Sequence, residues 1–341
     1  MLNDDALIQL FAPLARSQLL VLAVSGGPDS MALMALARRW QALLGAKAPN
    51  LGVVSVDHAL RQESAAECAL VAQVAGQLGL PHTIAVWQGP KPATGLMERA
   101  RIARYQLLQE AARSLGASGI VTAHHADDQA ETILLRLAHG TSITGLAGMR
   151  LHETDAGLDL WRPLLGLTKR QLVDYCTRNQ LAYCQDPSNL DPKYARTRLR
   201  HHMALMQRLG LDRAALLRLG TRAARADAAL QSATSDLLAK LGLPGDASVE
   251  IPQLRFEAAM LQDVPDEIIL RALAEIMARV GQWQGYRRLE RLERLLGGLQ
   301  AARMAGQNFS ATLSGAKIKL DKKGHLLVQR EMPRKGRGSL V

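Results

Sequence analysis

Six consecutive residues, Ser25-Gly26-Gly27-Pro28-Asp29-Ser30, have the types that hold a chain of phosphates. Adjacent glycines reach backbone angles closed to other residues and let main-chain N–H groups come close to an anion. A helix that begins near Asp29 aims its positive end and free N–H groups at the same point. The hydroxyls of Ser25 and Ser30 can donate to phosphate oxygens. Asp29 repels phosphate unless a divalent cation lies between them, which makes it a magnesium ligand in this reading. The alternative is a plain strand-to-helix turn with Asp29 or Ser30 as its cap. No G-x-x-x-x-G-K pattern is present, so the loop is not of the kinase type.

A second polar concentration runs from Thr122 to Thr132. Asp128 and Glu131 lie three apart, on one face of the first turn of a helix expected from about Asp127. Two carboxylates there can grip an ammonium group or a magnesium ion, and the same spacing also serves as a capping box. His124 and His125 follow a strand, where adjacent residues point to opposite faces, so shared metal ligation is awkward. One of the two is expected at a ligand and the other in the core. Arg101 and Arg104 share a helix with Glu98, where surface ion pairs are the ordinary outcome. Residues 196–225 carry eight arginines against one acid, Asp212, which suggests a basic ridge.

These residues must be positioned by strands and helices in alternation. Short apolar runs at 19–24, 51–56, 83–87, 119–123 and 158–161 read as five strands. Helical spacing covers 31–44, 63–78 and 98–115. Such alternation predicts an α/β fold, a Rossmann-like parallel sheet of about five strands flanked by helices. In sheets of this kind ligands sit at the carboxyl ends of the strands. The clusters at 25–30, at Asp57-His58 and at 124–131 all follow strands, so they converge on one edge. Beyond Lys169 the pattern turns helical. A break at 242–246 precedes helices over 265–299 and two alternating runs, 311–320 and 325–329, which read as a hairpin closed by Asp321-Lys322-Lys323-Gly324. The expected organisation is a catalytic domain over 1–205, a helical linker over 206–242, a smaller, mostly helical substrate-binding domain over 243–331, and a basic tail from 332 to 341.

The chain has 341 residues, enough for two domains, one with a full sheet-and-helix core. Aromatic residues make up only 4%, so that core is aliphatic. A formal charge of +11 favours a polyanionic partner, nucleic acid first among them, or serves solubility alone. Cys68, Cys176 and Cys184 are too scattered for a disulfide framework and read as small core hydrophobes. The acidic start, with Asp4 and Asp5, does not look like a secretory signal, and no run is long enough to span a membrane. The cytoplasm is the expected compartment.

The hexapeptide resembles the PP-loop of N-type ATP pyrophosphatases, written Ser-Gly-Gly-x-Asp-Ser. Later blocks resemble one branch, the tRNA(Ile)-lysidine synthetases: residues 56–61 (Val-Asp-His-Ala-Leu-Arg) with Glu63-Ser64, Glu98-Arg99-Ala100-Arg101 with Arg104-Tyr105, residues 122–132, Arg162-Pro163-Leu164-Leu165, and Asp186-Pro187-Ser188-Asn189 with Tyr194, Arg196, Arg198 and Arg200. The likeness is strong over roughly 20–200. It implies cleavage of ATP between the α and β phosphates and transfer of AMP to O2 of the wobble cytidine in the isoleucine tRNA with a CAU anticodon. Free L-lysine then attacks C2 and expels AMP. ATP would contact Ser25, Gly26, Gly27, Pro28, Asp29, Ser30, Asp57 and His124, with Mg2+ at Asp29 and Asp128. Lysine would be held by Asp128, Glu131 and Arg101, and tRNA by Arg104, Arg196, Arg198 and Arg200. The residues expected to carry the chemistry are Asp29, Arg101, Asp128 and Glu131. A homodimer is compatible with the resemblance.

Four positions depart from the family pattern. Ala59 stands where glycine is usual, His139 and Ser142 alter an Arg-Gly-Ser/Thr-Gly stretch, and Thr197 replaces asparagine. The expected consequence is a changed grip on RNA with the chemistry retained. A thiolase is a rival, but no cysteine is paired near a polar motif. A glutamine-fed amidotransferase would need a glutaminase, and none is evident. A non-catalytic RNA-binding protein would explain the charge yet leave the loop and the carboxylates unused.

Overall fold

A continuous apolar run makes the central strand, because only a strand covered on both faces can bury every side chain it carries. In the computed structural model that strand is β1 (Leu19–Ala23). Its Leu20, Val21 and Leu22 are fully buried, each contributing about 1.5–3 kcal/mol. The structure describes residues 2–60, 63–92, 94–155, 157–184, 195–243, 251–281 and 289–331. Arg61, the 186–189 block, Tyr194, part of the 242–246 break and the basic tail lie outside the described residues, as do the side chains of Arg196, Thr197 and Arg200.

Preceding β1 is α1 (Asp4–Phe11), capped by Asn3. After it come α2 (Pro28–Leu44), β2 (Asn50–Asp57), α3 (Glu63–Gln77), β3 (His82–Val86), α4 (Leu96–Ser114), β4 (Gly119–Val121), α5 (Ala126–Ala138), the short α6 (Ile143–Leu146), β5 (His152–Asp155) and β6 (Leu158–Trp161). The α2 helix starts earlier than residue 31, since Pro28 occupies its first turn, where a missing N–H does no harm. It is buried almost all round, with Trp40 stacked on Phe11 at 5.2 Å.

The sheet order is β3-β2-β1-β4-β6-β5. All pairings are parallel except β5 with β6. The parallel Rossmann-like sheet is therefore as expected, with one strand more. β5 escaped notice because His152-Glu153-Thr154-Asp155 is polar, as an edge strand can be. Chain order reverses direction across the sheet between β1 and β4, and that switch point is where open α/β sheets bind ligands.

Beyond the sheet follow α7 (Lys169–Arg178), α8 (Ala195–Arg208) and α9 (Arg213–Lys240). Leu199 and Met206 of α8 and Leu216 of α9 pack on Ala130, Ile133 and Leu134 of α5. Chain contacts divide the protein into one unit of 1–141 with 145–221 and another of 142–144 with 222–341, the boundary falling inside α9.

The second unit has its own aliphatic core, built by α10 (Asp266–Gly281), α11 (Leu289–Met304) and a four-stranded antiparallel sheet, β7-β10-β9-β8. The run 311–320 is not one strand. It divides at Ser314-Gly315 into β8 (Phe309–Leu313) and β9 (Ala316–Leu320), and β9 pairs with β10 (His325–Arg330) as the expected hairpin. β7 (Gln253–Glu257) adds to β10. Backbone approaches backbone closely here: a Cβ on Gly281 would stand 2.2 Å from the Ser314 carbonyl oxygen. Gly281→Ala should therefore destabilise this unit by about 1–3 kcal/mol, read as a lower midpoint in chemical denaturation. No described helix is long and apolar enough to cross a membrane.

Candidate active site

β1 ends because its neighbour takes over its backbone. Val24 N–H donates to Val54 O at 3.0 Å, and Ser55 Oγ donates to Val24 O at 2.9 Å. The chain then bends at Gly26, whose φ of +85° is left-handed and places the loop against Glu67. Gly27 caps α2 without a side-chain bond, and Pro28 brings no N–H. Ser30 Oγ accepts from Ser25 N–H at 3.1 Å and donates to Gly27 O at 2.9 Å, so Ser30 stiffens the loop from within. Cys184 N–H donates to Gly26 O at 2.8 Å, and the buried Cys176 thiol donates to Pro28 O at 3.3 Å. Burial pushes the Cys68 and Cys176 thiols up to about 11, the behaviour of core residues, while Cys184 is half-buried. The result is a preformed turn with an exposed Ser25 at its entrance and the N-terminus of α2 at its base.

Asp29 stands on that first turn. Its Oδ1 is buried and has no hydrogen-bond partner among the described residues. Its Oδ2 lies 3.5 Å from His125 Nε2. His125 is 2% exposed and caps α5: its Nδ1 accepts Asp128 N–H at 3.3 Å, and its own N–H donates to Asp128 Oδ2 at 3.2 Å. His125 Nε2 is also 3.4 Å from Asp128 Oδ2. Burial resists protonation of this ring, but the carboxylates of Asp29, Asp128 and Asp127 outweigh it and hold the pKa above the ordinary histidine value.

The capping box is thus made by His125 and Asp128, not by Asp128 and Glu131. Nor does Glu131 share the first turn: it lies a turn further on, 5% exposed in the body of α5. The strand argument for the two histidines also fails, because β4 stops at Val121. His124 is instead half-buried, with Nδ1 2.8 Å from Thr122 Oγ1.

Several motif residues hold the scaffold. Asp127 accepts Lys169 N–H at 2.7 Å and Arg213 Nη1 at 2.8 Å. Although burial pulls the other way, these donors keep its pKa low. Gln129 exchanges two hydrogen bonds with the Met149 backbone, and Arg136 donates to the carbonyls of Gly145 and Gly148. His139 caps the end of α5, its Nδ1 2.6 Å from Leu135 O.

At the end of β2, Asp57 Oδ1 accepts Ala59 N–H at 2.8 Å and the Ser64 hydroxyl, which lowers its pKa. Ala59 has φ +48°, so the position demands what glycine offers. Ala59→Gly should stabilise the protein by up to about 1 kcal/mol, since it relieves left-handed strain at some entropic cost; equilibrium unfolding would measure it. The rings of His58 and Trp87 stand perpendicular, 6.0 Å between centroids, and the buried His58 Nδ1 has no partner among the described residues. Burial and the charge of Arg104 lower the pKa of this ring.

Arg101 is exposed on α4, its guanidinium 5.6 Å from the Tyr105 ring, and it makes no hydrogen bond or ion pair among the described residues. Arg104 lies 5.9 Å from the same ring. Arg198 is exposed on α8. Asp29 and Asp128 are thus joined through one imidazole, whereas Arg101 and Arg104 group with Tyr105 on another helix. The sequence placed His125 only as one of a pair with His124, and His58 only in the cluster after β2, without saying what either would touch. The signal for His125 was its place two positions before a pair of acids at a helix start.

A phosphate-type turn at the switch point of a parallel sheet, faced by acids at the helix start that follows the neighbouring strand, defines a PP-loop protein, and a profile of the PP-loop domain matches residues 3–208. A tRNA(Ile)-lysidine synthase of Bradyrhizobium diazoefficiens is 46% identical over 87% of this chain and 82% of that one. Another, of Rhodopseudomonas palustris, is 43% identical over 96% of this chain and 95% of that one. The chain belongs to the tRNA(Ile)-lysidine synthase family. A U34-tRNA thiolase from Methanococcus maripaludis superposes with a TM-score of 0.54 at 13% identity, over 64% of this chain and 77% of that one, a likeness of fold.

Proposed function

We propose that this chain is the ligase that converts the wobble cytidine of the CAU-anticodon isoleucine tRNA to lysidine, using ATP and free L-lysine in the cytoplasm. The observation that carries the reading is the pairing of Asp29 with Asp128 at the mouth of the Ser25–Ser30 turn, where a triphosphate and a nucleophile must meet.

Triphosphate oxygens would settle on the N–H groups at the start of α2 and on Ser25. Magnesium fits this donor set. Asp29 Oδ1 is a buried carboxylate oxygen lacking a donor, and Asp128 is a second acid at the same place. No group of three or more His, Cys, Asp or Glu side chains able to hold a metal occurs among the described residues. An ion at this pair of acids would be carried largely by phosphate oxygens and water. When bound, the ion would screen the charge of the phosphates from Asp29 and Asp128.

The cytidine O2 would attack the α-phosphorus, and the bond to the bridging oxygen would break to release pyrophosphate from the turn. The lysine ammonium, with an unperturbed pKa near ~10.4, must lose a proton before its nitrogen attacks. Glu131 and Asp128 would hold it, and Arg101 would meet the lysine carboxylate or the α-phosphate. Attack at C2 would break the C2–O2 bond, and AMP would leave with that oxygen. Arg104, Arg196, Arg198 and Arg200 would bind tRNA phosphates, α8 being docked on α5 through Leu199 and Met206. Residues 243–331 would serve as a further tRNA-binding domain. Incubation with ATP, tRNA and lysine should release AMP only when both RNA and amino acid are present. No AMP under any combination would leave an RNA-binding protein as the better reading.

A further inference from the structure

The geometry points to His125 as a positioning residue that pins the Asp29 and Asp128 carboxylates into a divalent-cation cradle. The inference rests on the metal reading given above and adds to it the group that builds the site. Asp29 opens α2 and Asp128 closes the cap of α5, so they belong to different helix starts. Two anions held close in a half-buried place repel each other and would swing apart without a donor between them. His125 is 2% exposed and cannot turn away to solvent.

Its tautomer follows from the cap. Because Nδ1 accepts the Asp128 N–H at 3.3 Å, the ring hydrogen of the neutral form sits on Nε2. Nε2 lies 3.5 Å from Asp29 Oδ2 and 3.4 Å from Asp128 Oδ2. One N–H therefore faces one oxygen of each carboxylate, and Asp29 Oδ1 is left buried and unpartnered. A ligand oxygen deprived of every protein donor is what a cation needs. Outer-shell groups of this kind orient carboxylate ligands and commonly alter metal affinity by about 10–100-fold.

The test compares four proteins: the natural chain, Asp29→Asn, His125→Asn and His125→Gln. Asparagine keeps the helix cap, since its Oδ1 can accept the Asp128 N–H, but it is too short to reach Asp29. Glutamine is longer and can bring an N–H back to the carboxylates. Mn2+ binding in the presence of a non-hydrolysable ATP analogue is read by electron paramagnetic resonance, with thermal midpoints alongside. His125→Asn is expected to weaken Mn2+ by about tenfold or more while KM for tRNA stays put, and His125→Gln to recover part of the loss. If His125→Asn melts too early to assay, His125→Gln is read by itself, with weakened Mn2+ expected relative to the natural chain. Should Asp29→Asn weaken Mn2+ while the folded His125 variants bind it like the natural chain, the positioning role is wrong and the metal reading stands. If Asp29→Asn leaves Mn2+ binding unchanged, the metal reading falls and takes this inference with it.

Discussion

Replacing Asp29 with alanine is expected to lower tRNA-dependent AMP formation by about three orders of magnitude without lowering the thermal midpoint. The two halves of that result have separate causes. Activity falls because the side chain on the first turn of α2 is the acid nearest the phosphate-type turn, and its Oδ1 has no partner within the described protein. Stability holds because Asp29 contributes little to the fold. Its side chain is a quarter exposed, and its one ion-pair contact among the described residues is to His125, which keeps Asp128. Removing one of several neighbouring carboxylates also relieves repulsion, the trade between stability and activity expected at such sites. Steady-state AMP release and a melting curve on the same preparation decide it. A midpoint that drops in step with activity would make Asp29 a structural residue.

Glu131→Gln is expected to divide the two half-reactions. The substitution keeps shape at a position only 5% exposed, so packing is preserved while the charge is lost. If Glu131 holds the lysine ammonium, pyrophosphate release and adenylylated tRNA should persist within a few-fold. The second step should slow by about 10²–10³, and the adenylylated RNA should accumulate. Quenched-flow sampling with labelled ATP resolves both steps. Equal damage to both would place Glu131 in the scaffold of α5.

Much of the site could be read before any fold was known. The Ser25–Ser30 turn followed from types and spacing, and so did its place between a buried strand and a helix. The clusters after β1, β2 and β4 were expected on one edge, and parallel pairing of β2, β1 and β4 puts their carboxyl ends there. Less legible was what depends on partners far along the chain. Edge strand β5 carries no apolar alternation, and the division of 311–320 at Ser314-Gly315 rests on a turn inside one apolar pattern. Asp57 was expected at ATP and Asp127 was given no role; in the fold Asp57 also anchors Ala59 and Ser64, and Asp127 anchors Lys169 and Arg213.

Local chemistry in the sequence determined the phosphate-type turn, the helix starts and the strands, because each depends on residues a few positions apart. Tertiary structure alone decided that β4 lies beside β1, for strand order is set by burial of whole sheet faces and not by any neighbouring residue. That choice brings His125 between Asp29 and Asp128, and so turns two distant acids into one site.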